Sequence, residues 1–163
     1  MRSRCSRRSP GADVIWVQAE DFDVGVELAR LTEGRSDVGG VASFIGVVRA
    51  SSAAGALQAM TLEHYPGMTE KRLAEIEAEA LRRWPLTGSV IIHRYGRLLP
   101  GERIVLVATA SSHRQAALES CQFLIDWLKT EAPFWKLEET AQGSQWVEAR
   151  KSDDHAAERW RKP

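Results

Sequence analysis

The chain has 163 residues, a formal net charge of zero, 44% hydrophobic residues and 27% charged residues. That length suits one domain, with a core large enough to stand without disulfide or metal staples. The balanced charge excludes a bulk attraction to nucleic acid or to an anionic membrane, so any anion-binding site has to be a local cluster.

The first ten residues, MRSRCSRRSP, carry four arginines and no acid. No apolar segment follows them, as a secretory signal would require. Residues 1–12 are expected to be a disordered basic extension and residues 13–163 the folded domain. No stretch approaches the roughly 18 apolar residues of a membrane span. Val14–Gln18 reads as a short strand, and Asp23 as the cap of a helix running to about Leu31. Val38–Val48 (VGGVASFIGVV) reads as a strand. Its adjacent Gly39 and Gly40 suggest a close backbone approach or a bulge. Ala50–Gly55 reads as a loop and Leu57–Tyr65 as the next strand, broken by Pro66-Gly67. Over Thr69–Trp84, Leu73, Ile76, Ala80 and Trp84 recur at three- and four-residue steps, which predicts an amphipathic helix ending before Pro85.

Val90–Leu98 and Arg103–Ala110 are strand-like, with Pro100-Gly101 placed as a hairpin-like turn between them. A second helix is expected over about His113–Thr130, with Leu118, Cys121, Ile125 and Leu128 as its apolar stripe. Pro133 stops it. Phe134–Thr140 and Gln145–Ala149 suggest a final hairpin around Gln142-Gly143, and the tail from Lys151 is charged. Pairs of strands between helices favour an α+β fold with antiparallel pairing.

Three places carry candidate chemistry. Ser112-x-x-Gln115 has the form of a capping box, which puts His113 and Arg114 on a first helical turn beside free N–H groups. Such a turn suits a phosphate or carboxylate, and it equally suits an ordinary surface cap. Lys129 and Lys136 flank the Pro-punctuated, aromatic turn Ala132-Pro133-Phe134-Trp135; by pattern alone they read as solvated lysines near a helix end, the alternative being a lysine partly desolvated beside Phe134 and Trp135 and so suited to base chemistry. Arg49 ends the glycine-containing strand, where an anion contact and a plain surface residue fit equally. His64 and His93 fall inside strands and read as hydrogen-bonded sheet histidines. Cys121 reads as core and Cys5 as a leader thiol, so no disulfide is expected. Nothing has zinc-ligand spacing, and no cofactor motif occurs.

Taken together, LEHYPGMTEKRLAEI at 62–76, HRYGRLLPGE at 93–102, SSHRQAALESCQFLIDWLKTEAPFWKLEE at 111–139, WVEAR at 146–150 and FIGVVR at 44–49 resemble the family of molybdopterin synthase large, catalytic subunits. The resemblance implies an α+β fold of the α/β-hammerhead type, a homodimer in a heterotetramer, and no cofactor. The implied partner is a small ubiquitin-like sulfur carrier whose C-terminal Gly-Gly tail ends in a thiocarboxylate. The implied substrate is cyclic pyranopterin monophosphate (precursor Z), sulfurated to the molybdopterin dithiolene in the cytoplasm. The implied catalytic residues are Lys129 and Lys136. Substrate binding would fall to Val47, Val48, Arg49, His113, Arg114, Lys129, Lys136, Leu137 and Glu138, with Arg150 as a further candidate. Two rival readings are a non-catalytic module that only docks a ubiquitin-like tail, and an unrelated phosphoesterase.

One geometric expectation stands apart from the resemblance. His113 and Lys129 are sixteen residues apart on one predicted helix, which is roughly 24 Å. One small substrate cannot touch both ends of a straight helix. A site that uses both residues is therefore expected to be built from two subunits, with His113 and Arg114 of one completing the lysine pocket of the other.

Overall fold

The computed structural model describes residues 13–147 and 151–161; the predicted extension at 1–12 lies outside them. In chain order the elements are β1 (Val14–Gln18), α1 (Val24–Thr32), β2 (Gly40–Val47), β3 (Ser51–Ser52), β4 (Gly55–His64), α2 (Met68–Arg83), β5 (Leu86–Arg94), β6 (Gly96–Leu98), β7 (Arg103–Ser111), α3 (Arg114–Glu131), β8 (Phe134–Thr140), β9 (Gly143–Val147) and α4 (Lys151–Glu158). They form two sheets. The first has the order β1-β5-β7-β2; in the second, β3-β4-β8-β9, β6 also pairs with β4. The fold is α+β, as the alternation of helices with strand pairs predicts.

The first sheet is covered on both faces, which is why β5 and β7 are near-continuous apolar runs rather than alternating ones. On one face Ile91, Val105 and Val107 pack against Leu73, Ile76 and Ala80 of α2 and Phe123, Leu124 and Leu128 of α3. On the other, Val90, Ile92, Leu106 and Ala108 pack against Phe22 and Leu31 around α1. Val48, Leu57, Met60, Leu62 and Leu98 form a smaller core under the second sheet. The Asp23 carboxylate accepts the Val26 N–H at 2.9 Å and caps α1 as predicted.

Several expectations are corrected. The strand predicted over Val90–Leu98 is two strands in different sheets, because the chain turns at Gly96, whose φ of 91° suits glycine. Pro100-Gly101 consequently joins strands that do not pair with each other: β6 pairs with β4, and β7 with β5 and β2. Pairing is not wholly antiparallel, since β1 runs parallel to β5. The predicted loop at 50–55 holds the short strand β3, folded back on the start of β4. The Ser112 capping box does not form. His113 is the N-cap residue, without a side-chain cap bond. The Ser112 hydroxyl instead donates to the Asp37 carbonyl, and Gln115 donates to Glu119. Leu118 is exposed rather than part of the buried stripe.

Candidate active site

Two hydrogen bonds give the direction of α3 across the sheet. The Thr109 hydroxyl donates to the Ala117 carbonyl at 2.7 Å, and the Cys121 thiol lies 3.7 Å from the Val107 carbonyl. Two strand residues and four helix residues each advance about 6 Å, so α3 runs back antiparallel along β7. Its start lies at the Ser111 end of the sheet and its last turn at the Arg103 end.

The predicted site residues divide between these ends. At the Ser111 end, His113 and Arg114 are exposed. They are held there by a close backbone approach: the Gly39 N–H donates to the Ser111 carbonyl at 2.9 Å. A Cβ on Gly39 would meet the Ser112 carbonyl oxygen at 2.0 Å. Gly39, the first of the two adjacent glycines, thus makes the close approach that the sequence suggested. At the other end, Val47 pairs with Arg103 after a bulge at Gly46/Val47. Val48 is buried between the sheets, and both of its backbone polar groups are engaged, with Glu102 and Gly101. Val47 itself is exposed, and Arg49 emerges exposed beyond it. Lys129, in the last turn of α3, lies at this same end and is exposed.

Three arginines at this end are neutralised. Arg103 pairs with Asp21, whose carboxyl the guanidinium hydrogen bond holds down at about 2. Arg94 is buried against the Ala19 and Arg103 carbonyls and pairs with Glu102. Arg72 binds Glu131 at 2.7 Å. Arg49 and Lys129, by contrast, form no ion pair with a described residue. Exposed cations left in this state are positioned to meet an external anion.

Lys136 enters from β8. It faces Leu62 on β4 and Val147 on β9, and alternation puts Phe134 and Glu138 on its side of the sheet. Leu137 points to the opposite face, with Thr61 and Trp146. Phe134 stacks on His93, with ring centroids 3.7 Å apart and planes 16° apart. His64 lies 6.4 Å from the Phe134 ring and 4.4 Å from that of Tyr95. The His93 imidazole is buried, and its Nδ1 lies 2.9 Å from the Arg94 carbonyl oxygen. Burial, with the charges of Lys136 and His64 adding to it, pushes the His93 pKa down to about 4. Both histidines were legible as sheet residues. Their meeting around Phe134 was not, since no local pattern links positions so far apart in the chain.

Arg150 lies outside the described residues. Cys121 is a buried free thiol, pushed by burial up to about 11 and unsuited to act as a nucleophile. Among the described residues, no group of three His, Cys, Asp or Glu side chains could hold a metal ion, and no helix is long and apolar enough to cross a membrane.

The MoaE family profile, described as MoaE protein, matches residues 17–131. The molybdopterin synthase catalytic subunit of Mesorhizobium japonicum is 54% identical over 152 residues, covering 92% of this chain and 94% of that one. That of Escherichia coli K12 is 53% identical over 146 residues, covering 90% and 97%. Among solved structures, the molybdopterin biosynthesis MoaE protein of Burkholderia ambifaria superposes with a TM-score of 0.77 at 51% identity, covering 91% and 97%. The molybdopterin synthase structure from Staphylococcus aureus does so with a TM-score of 0.73 at 31% identity, covering 82% and 96%.

Proposed function

The chain belongs to the MoaE family, and on that premise we propose that it is the catalytic, sulfur-transferring subunit of a molybdopterin synthase. Its substrate is cyclic pyranopterin monophosphate. The sulfur arrives on the thiocarboxylated Gly-Gly tail of a small ubiquitin-like carrier, and the product is the molybdopterin dithiolene. Two catalytic subunits and two carriers form the working heterotetramer, in the cytoplasm. The observation that carries the reading is the gathering of Arg49 and Lys129 with the strand of Lys136 at one pole of a net-neutral protein. Substrate phosphate and tail thiocarboxylate are both anions, and a local cationic pole is what their binding requires.

In this reading Lys129 steers the thiocarboxylate and moves protons as its sulfur attacks the pterin side chain. Lys136 stabilises the charge that develops. Arg49, His113 and Arg114 hold the phosphate and pterin, with Val47 and the β8 segment of Leu137 and Glu138 forming the walls. No cysteine of this chain takes part, because the sulfur comes with the partner. Since α3 holds His113 and Lys129 at opposite ends, His113 and Arg114 serve the pocket of the second subunit.

Complementation tests both halves of the proposal. Purified protein, precursor Z and thiocarboxylated carrier should give dithiolene, and Lys129→Ala and His113→Ala should each lose nearly all of it. When the two inactive variants are mixed and allowed to exchange subunits, a mixed dimer contains one intact site. Random pairing then restores about a quarter of wild-type product. No recovery after verified exchange refutes the shared site. No product from wild type bound to its carrier refutes the enzyme and leaves a docking module.

A further inference from the structure

We propose that His93 is a positioning residue for sulfur transfer: its ring, stacked on Phe134, holds the corner between α3 and β8 that carries Lys129 and Lys136. The inference rests on the assignment of those lysines above.

The corner is short. Phe134 is the first residue of β8, five positions after Lys129 and two before Lys136, and its own N–H donates to the Ala132 carbonyl at 2.9 Å. The buried Thr69 hydroxyl, at the start of α2, reaches the Pro133 carbonyl at 3.4 Å. The Arg72–Glu131 ion pair ties the end of α3 to α2, and Phe134 pairs with His64 on β4, while the Phe134 ring is what lays the corner onto β5 of the first sheet. His93 receives it nearly face to face.

The imidazole adds a tether to the stack. Its Nδ1–H donates to the carbonyl of Arg94, and the buried Arg94 side chain is itself tied to the Ala19 and Arg103 carbonyls. The ring is therefore pinned to the backbone of the first sheet as well as packed against Phe134. It is also uncharged at neutral pH, because burial and the neighbouring Lys136 charge oppose its protonation. A neutral anchor leaves the cationic pole to Arg49 and the lysines. Reactive geometry is sensitive to such anchors, since a misplacement of 1 Å costs roughly 100-fold in rate.

The test compares His93→Gln, which keeps an N–H donor without the ring, with His93→Phe, which keeps the ring. Turnover of precursor Z is measured with saturating thiocarboxylated carrier, and carrier-binding stoichiometry counts the folded sites. The expected result for His93→Gln is a kcat lowered at least about tenfold, with the KM for precursor Z and the stoichiometry unchanged. His93→Phe should recover to within about threefold of wild type. A His93→Gln protein with wild-type kcat overturns the proposal, as does a loss that only tracks lost carrier binding. If wild type itself makes no dithiolene, the functional reading falls. The positioning claim is then judged on the 13C resonances of the Lys136 side chain. These must move in the Gln variant and return in the Phe variant; unchanged resonances refute it.

Discussion

Gly39→Ala should both destabilise the protein and disturb only one end of its candidate site. The added Cβ would lie 2.0 Å from the Ser112 carbonyl oxygen and 2.8 Å from its carbon. Both are backbone atoms, so no rotamer change relieves the clash. The strand entrance must retreat from the turn that leads into α3. That retreat breaks the bond from the Gly39 N–H to the Ser111 carbonyl, worth about 1 kcal/mol. Overpacking adds about 1–3 kcal/mol. The sum, about 2–4 kcal/mol, lowers Tm by roughly 5–12 °C in a domain of this size. Gly40→Ala is the internal control, because its Cβ would meet Arg114 at an ordinary 3.6 Å. Thermal unfolding of both variants, followed by circular dichroism, gives the comparison. The displaced backbone leads directly into His113 and Arg114, so the folded Gly39→Ala protein should also show a raised KM for precursor Z. A Tm within about 2 °C of wild type, or equal effects at both glycines, would refute the close-approach argument.

Other outcomes concern buried groups. The His93 pKa falls from 6.5 when unfolded to about 4 when folded, so the unfolded chain takes up a proton in this window that the folded chain refuses. Stability is therefore complete above about pH 6.5 and is lost as pH falls toward 4, by about 2 kcal/mol between pH 7 and pH 5. Urea midpoints at the two pH values should show this drop in wild type and a smaller one in His93→Phe; equal drops would remove the histidine as the cause. Cys121, buried with its thiol raised to about 11, should react with iodoacetamide at pH 8 only as fast as the protein opens, in a Cys5→Ser background. Labelling at the rate of a free thiol would contradict the burial. Trp160 packs edge-on against Trp84 and Phe123, and its indole N–H donates to Asp126 at 2.8 Å. Trp160→Ala should cost about 3 kcal/mol in chemical denaturation; a cost below about 1 kcal/mol would mean that α4 does not clasp α3.

Much of the fold is legible in the chain because burial leaves a local signature. The three- and four-residue spacing of Leu73, Ile76 and Ala80 places one face of α2 on the sheet. The apolar runs of β5 and β7 mark strands covered on both sides, and Asp23 marks a helix start. Candidate site residues were likewise nameable one by one, from the family resemblance of the segments around Arg49, His113, Lys129 and Lys136. Local pattern failed where a choice depended on a distant partner. Ser112 had the spacing of a capping box, yet its hydroxyl is drawn to the Asp37 carbonyl across a contact that spacing does not encode. Val90–Leu98 looked like one strand, since the turn at Gly96 matters only because β4 lies ready to pair with Gly96–Leu98.

The placement of the candidate site residues was decided at that same level. Helical periodicity and rise set His113 and Lys129 far apart from the sequence alone. Only the antiparallel return of α3 over β7, the pairing of Val47 with Arg103 and the stack of Phe134 on His93 put Arg49, Lys129 and Lys136 at one pole. The physical reason is that side-chain periodicity reports which face of an element is buried, whereas register and contact between distant segments are settled only when the whole core packs at once.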